Sequence, residues 1–176
     1  MTDYSRITIL NLSSKELTEL PDLSQYTNLK ELKCYYNNLS SLDNLPLTLE
    51  ILDCSYNKLT NLDNLPPNLK KLYCNDNKIT RLDNLPLSLT DLICWDNQIT
   101  RLDYLPLTLE ILDCCYNQIT SLDNLPLTLT ELYCYNNKLT SLDNLPPYLK
   151  ELYCGNNPFT YDFTSTLDNI VKHNNK

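Results

Sequence analysis

Seven cysteines fall twenty residues apart, Cys34, Cys54, Cys74, Cys94, Cys114, Cys134 and Cys154, and a thiol array this regular could bind a metal or carry redox chemistry. Two considerations turn the reading the other way. Seven is odd, and side chains on neighbouring in-register strands stand about 4.8 Å apart, whereas a disulfide brings its Cβ atoms to about 3.8 Å. The cysteines are therefore expected to be reduced, small apolar filler in a core too narrow for leucine. Cys115 follows an inward Cys114, so it is expected to face outward as an exposed thiol, but nothing beside it in the sequence supplies a base. The single histidine, His173, lies in a polar tail, which leaves no material for a histidine triad or a histidine-ligated metal. Asp43, Asp63, Asp83, Asp103, Asp123 and Asp143 recur with the same period, yet one carboxylate per repeat falls short of the six to eight oxygens that calcium takes. Their expected role is to bond nearby backbone amides in the bend where they sit. One glycine in the chain excludes a glycine-rich phosphate cradle. No catalytic residue, metal or cofactor is expected.

The elements that position these residues follow from the period. Read from Leu29, the unit is L-x-x-L-x-C-x-x-N-x-L/I-T/S-x-L-D-N-L-P-x-x, and it reopens at Leu49, Leu69, Leu89, Leu109, Leu129 and Leu149 without an insertion. In L-x-x-L-x-C the fourth and sixth positions alternate as in a strand, which turns Leu32 and Cys34 to one side. A twenty-residue unit cannot bury its own leucines, so successive coils must stack and pair their strands into a parallel sheet. The expected fold is a right-handed solenoid with that sheet on the concave side. On the convex side, Pro46, Pro66, Pro86, Pro106, Pro126 and Pro146 block helix continuation, so the return is expected to be extended, polyproline-like or 3-10. Asn37, Asn57, Asn77, Asn97, Asn117, Asn137 and Asn157 sit where the chain leaves each strand and are expected to satisfy buried backbone groups there.

The whole chain reads as one domain. Residues 1–28 form an atypical N-terminal coil with Ile7, Leu10, Leu12, Leu17, Leu20 and Leu23 inward and Lys15 where later coils carry asparagine. Residues 29–159 hold seven repeats, the last incomplete, and residues 160–176 form a cap. In that cap Ser165-Thr166-Leu167-Asp168 fits a capping box opening a short helix with Leu167, Ile170 and Val171 apolar.

From Ile7 to Phe159 the repeats resemble the leucine-rich repeat family, with cysteine where many members have leucine. The short proline-containing unit is similar to the repeats of bacterial effector proteins, and the cysteine with Asp-Asn-Leu-Pro is similar to repeat proteins of giant amoebal viruses. The effector resemblance implies that a cysteine-dependent ubiquitin ligase domain could be appended. The chain ends about twenty residues after Cys154, so that domain is expected to be absent.

Positions three, five, seven and eight of each coil should face the concave side, where periodicity no longer dictates residue type. They hold Tyr35, Tyr36, Tyr56, Tyr73, Trp95, Tyr116, Tyr133, Tyr135 and Tyr153, which is eight of the thirteen tyrosines and the only tryptophan. The same positions carry Glu31, Asp53, Asp76, Asp91, Asp96, Asp113, Glu131 and Glu151 against Lys33 and Lys71, a local charge of −6 within a chain total of −8. Rigid aromatics with a polar handle are the chemistry of binding hot spots, and Trp95, Tyr116 and Tyr135 are expected to form a central cluster. The bland alternative is that the aromatics only stack across strands and stabilise the sheet.

These features together predict a non-enzymatic protein-interaction module whose partner is a protein, a basic one being favoured by the charge. The alternatives are a structural or assembly protein, virion-associated or self-associating, and a glycan-binding module. Nucleic acid is disfavoured by the acidic balance, no small-molecule substrate is expected, and the chain is expected to be a monomer or a weak homo-oligomer. Met1-Thr2-Asp3-Tyr4-Ser5-Arg6 has neither the charge nor the apolar run of a leader or anchor, so the protein is expected in the cytoplasm, that of the host if it is viral, and off the membrane.

Overall fold

The computed structural model describes residues 3–159. Eight three-residue strands lie side by side in chain order and pair in parallel: β1 (Ile9–Asn11), β2 (Glu31–Lys33), β3 (Ile51–Asp53), β4 (Lys71–Tyr73), β5 (Asp91–Ile93), β6 (Ile111–Asp113), β7 (Glu131–Tyr133) and β8 (Glu151–Tyr153). The register never slips, so Leu10, Leu32, Leu52, Leu72, Leu92, Leu112, Leu132 and Leu152 form one row through the sheet. From β2 to β8 a period of twenty without insertion is the cause, and the twenty-two-residue first coil places its two extra residues between β1 and β2 without disturbing their pairing. Each coil starts where the previous one did, and like side chains stack on like.

Inside, the rows of Leu29, Leu32, Cys34, Leu39 and Leu42 and their counterparts on later coils fuse into one continuous core. Cys34, Cys54, Cys74, Cys94, Cys114 and Cys134 have no exposed surface, and all eight cysteines are free thiols. Burial pushes the Cys34 thiol up to about 12 and those of Cys54, Cys74, Cys94, Cys114 and Cys134 well above the ordinary range.

The asparagine row stitches neighbouring coils together. Asn97 accepts the Ile79 N–H of the preceding coil at 2.9 Å and donates to the Cys74 and Cys94 carbonyls, each at 3.1 Å. Asn57, Asn117 and Asn137 repeat that pattern. Lys15 occupies the asparagine position of the first coil, and there Asn37 accepts from both the Lys15 and the Leu17 N–H, each at 3.0 Å.

The convex return is a pair of turns separated by the proline. Asn44 takes a left-handed φ of 58° in the first turn, and Tyr104 takes 61° where the other coils have asparagine. In the second, Leu49 N–H bonds back to the Pro46 carbonyl at 3.2 Å. The aspartate before the first turn corrects the sequence expectation: several of these carboxylates bond the side chain two residues earlier, not a backbone amide. Ser41 donates to Asp43 at 2.6 Å, while Arg81 and Arg101 pair with Asp83 and Asp103 at 2.8 Å.

At the N-terminus a 3-10 turn, Tyr4–Arg6, is capped by Asp3, and Tyr4 packs edge-on against Tyr26 at 5.2 Å. It is the one helical segment among the described residues, and no helix there is long and apolar enough to cross a membrane. The capping box and helix expected around Leu167, and His173, lie outside the described residues.

Candidate functional site

Each strand turns its middle leucine into the core and its flanking residues outward, with the pattern half-buried, buried, half-buried in β2 to β7. The two residues after the inward cysteine extend this outer surface. The second of them is left-handed in every repeat: Tyr36, Tyr56, Asp76, Asp96, Tyr116, Asn136 and Asn156 have φ of 51–54°. The ladder continues through this bend, as Tyr36 N–H reaches the Ser55 carbonyl at 3.1 Å and Tyr56 N–H reaches that of Asn75 at 2.9 Å. Asparagine and aspartate tolerate this conformation, whereas a bulky tyrosine is strained in it. Asx at four of the seven positions was the sequence signal for the bend.

The aromatics form three separate groups. Tyr36 meets Tyr35 edge-on at 5.8 Å and stacks on Tyr56 at 4.2 Å, and Tyr56 meets Trp95 edge-on at 6.0 Å. Tyr116 and Tyr135 make an edge contact at 5.6 Å, and Tyr133 stacks on Tyr153 at 5.2 Å. The expected cluster of Trp95 with Tyr116 and Tyr135 is thus divided. Trp95 leans back across a whole coil, because the residue in its row on the intervening coil is the short, buried Asn75, held by Ser55 Oγ at 2.7 Å. Tyr73 lies in register between Asp53 and Ile93.

Most of the acids have partners. Glu31 pairs with Lys33 at 3.0 Å, and Asp91 with Lys71 at 2.9 Å. Asp53 and Asp113 each accept a backbone N–H two residues on, from Ser55 and Cys115, at 3.1 Å. The Tyr133 hydroxyl donates to Glu151 at 2.7 Å and lies 3.2 Å from Glu131, and chiefly the Glu151 bond holds its proton well above the ordinary tyrosine range. Asp76 and Asp96 differ: neither carboxylate forms an ion pair or a hydrogen bond among the described residues. Burial, and then its neighbour Asp96, raise the Asp76 pKa.

Two features were missed in the sequence. Ile51, Ile93 and Ile111 are half-buried on this same face and give it an apolar floor between the acids. Cys115 does not stand free: it is half-buried, and burial together with Asp113 pushes its thiol up to about 12. No group of three or more metal-ligating side chains occurs among the described residues.

Residues 48–87 match the family description Leucine Rich repeats (2 copies). The leucine-rich repeat domain of a Shigella effector has a TM-score of 0.79 and 28% identity to this chain, with 96% of this chain and 76% of that one covered. The fold is that of a leucine-rich repeat solenoid. YopM from Yersinia pestis is 35% identical at a TM-score of 0.70, over 81% of this chain and 46% of its own. The functional domain of InlJ from Listeria monocytogenes, which includes a cysteine ladder, is 32% identical at 0.66, over 88% of this chain and 40% of its own. This leucine-rich repeat solenoid therefore spans less than half the length of those last two chains. No curated protein sequence matches it. The likeness to giant amoebal virus proteins is carried by none of these comparisons, whereas the likeness to bacterial effector repeats is. The leucine-rich repeat fold is commonly a protein-interaction module.

Proposed function

We propose that this leucine-rich repeat solenoid is a non-enzymatic module that binds a protein partner through its tyrosine, tryptophan and acid-bearing sheet face, in a reducing compartment such as the cytoplasm. The observation that carries the reading is the placement of Tyr36, Tyr56 and Tyr116 in left-handed backbone. Strain there costs about 1–2 kcal/mol per residue. Tyr116 is 52% exposed, so about 100 Å² of it is buried, worth about 2 kcal/mol once residual burial in the unfolded chain is discounted. An edge contact adds about 0.5–1.5 kcal/mol. The sum is a net gain of about 0.5–2.5 kcal/mol, a modest return from a ring that Asn136 and Asn156 replace without strain on other coils. Large exposed aromatics that the fold does not require are best explained by what they touch in a partner.

The test uses Tyr116→Asn, a residue type that the fold already accepts at this position. A partner is first captured by the wild-type protein and identified by mass spectrometry. Its affinity for wild type and variant is then compared, beside the urea midpoint of each. The expected result is at least a tenfold loss of affinity with a stability change of about 1 kcal/mol. Normal binding with a much lower midpoint would identify the tyrosines as sheet stabilisers and overturn the reading. Sizing at several concentrations separates this module from a self-assembling one, and the proposal expects a monomer throughout.

A further inference from the structure

Resting on that reading, we infer that the corner formed by Tyr56 and Trp95, with Asp76 and Asp96 beside it, receives a cationic side chain, lysine or arginine, of the protein partner. Asp76 and Asp96 occupy the same left-handed position on consecutive coils, flanked in that row by Tyr56 on one side and Tyr116 on the other. Adjacent strands lie about 4.8 Å apart, and like charges facing each other across neighbouring strands destabilise a sheet. The fold does not ask for them, because Asn136 and Asn156 fill the same position uncharged.

Glu31 and Asp91 are neutralised by Lys33 and Lys71, and the carboxylates of Asp53, Asp113, Glu131 and Glu151 keep their charge but accept from a backbone amide or from Tyr133, so Asp76 and Asp96 are the adjacent pair on this face whose oxygens are open to a donor from a partner. Trp95 reaches back over that coil to touch Tyr56, which sets two rings nearly perpendicular, at 80°, beside the two carboxylates. Rings at right angles next to paired carboxylates suit an ammonium or guanidinium, which gains from an aromatic face and from the charge together. The Tyr56 phenol holds its proton more tightly, first through burial, then through Tyr36, and in smaller part through the Asp76 and Asp96 carboxylates.

Trp95 is the only tryptophan in the chain, so its fluorescence reports on this corner alone. The probe is a penta-arginine peptide, with penta-citrulline as its uncharged counterpart, at low ionic strength. Penta-arginine is expected to shift Trp95 emission in a saturable way, and penta-citrulline is not. Asp76→Asn with Asp96→Asn should weaken penta-arginine binding roughly tenfold or more. The matched change Asp53→Asn with Asp113→Asn removes the same charge from the same face and should weaken it less than about threefold. Equal losses in the two double variants, or binding that leaves Trp95 emission unchanged, would mean that cations are attracted to the face as a whole and would overturn the assignment. So would an absence of binding at millimolar peptide. None of these results touches the wider reading, which Tyr116→Asn tests on its own partner.

Discussion

Raising the pH from 8 to 10 should unfold this protein by a route that few folds share. Six thiols in the ladder, Cys34, Cys54, Cys74, Cys94, Cys114 and Cys134, are held well above their ordinary value of 9.0, chiefly by burial. Below about pH 8 each is protonated in both the folded and the unfolded chain, and the ladder contributes no pH dependence. Between 9 and 10 the unfolded chain loses these protons while the folded one keeps them, so stability falls as pH rises. At pH 10 each thiol costs about 1.4 kcal/mol relative to neutral pH. Six cost about 8 kcal/mol, against a total stability of about 5–15 kcal/mol for a typical domain. The urea midpoint, followed by circular dichroism with a phosphine reductant present, should therefore drop steeply from pH 8 to 10. Replacing Cys74 and Cys114 by alanine should make that drop shallower by about a third, even though it lowers the starting midpoint. A midpoint unchanged between pH 8 and 10 would show that the cysteines do not form a desolvated ladder.

Other consequences concern single residues. Asn97→Ala leaves the Ile79 N–H and the Cys74 and Cys94 carbonyls without the amide that satisfied them, and should cost about 3–5 kcal/mol in urea unfolding; a loss under 1 kcal/mol would mean that water replaces the stitch. Cys115 is the one cysteine that is not fully buried, so it should be the first to react with a maleimide in the folded protein. With its thiol pushed up to about 12, that reaction should still be about a thousandfold slower than for a free thiol at pH 8. Earlier labelling of Cys74 or Cys134, read by peptide mass mapping, would contradict the inward placement of the ladder.

The architecture was legible because its signal is redundant. One strand, one inward cysteine and one stitching asparagine recur seven times, and any single coil predicts the rest. What escaped depends on backbone sign and on reach, which hydropathy does not encode. The left-handed bend leaves no apolar trace, and its marker was the Asx content of the row holding Asp76, Asp96, Asn136 and Asn156. Trp95 meets Tyr56 and not Tyr116 because Asn75 is short and tied down, a property of the coil between them rather than of either ring. Cys115 lies outside the buried core, as its place after the inward Cys114 implies, but its half-burial could not be read from that place alone.

Stability and the proposed recognition fall to different rows of this solenoid, and that separation is what a one-dimensional array permits. In its buried rows each coil packs against its neighbours, so the leucine, cysteine and asparagine rows must be uniform: a single misfit breaks both interfaces it belongs to. The outward rows carry no such constraint. Lysine, aspartate, glutamate and isoleucine alternate at position three from β2 to β8 with no change in register. A surface free to vary in composition while fixed in geometry can hold an adjacent acid pair beside perpendicular rings at a small local cost. The neighbouring coils, being complete in their own buried rows, keep that costly pair in place.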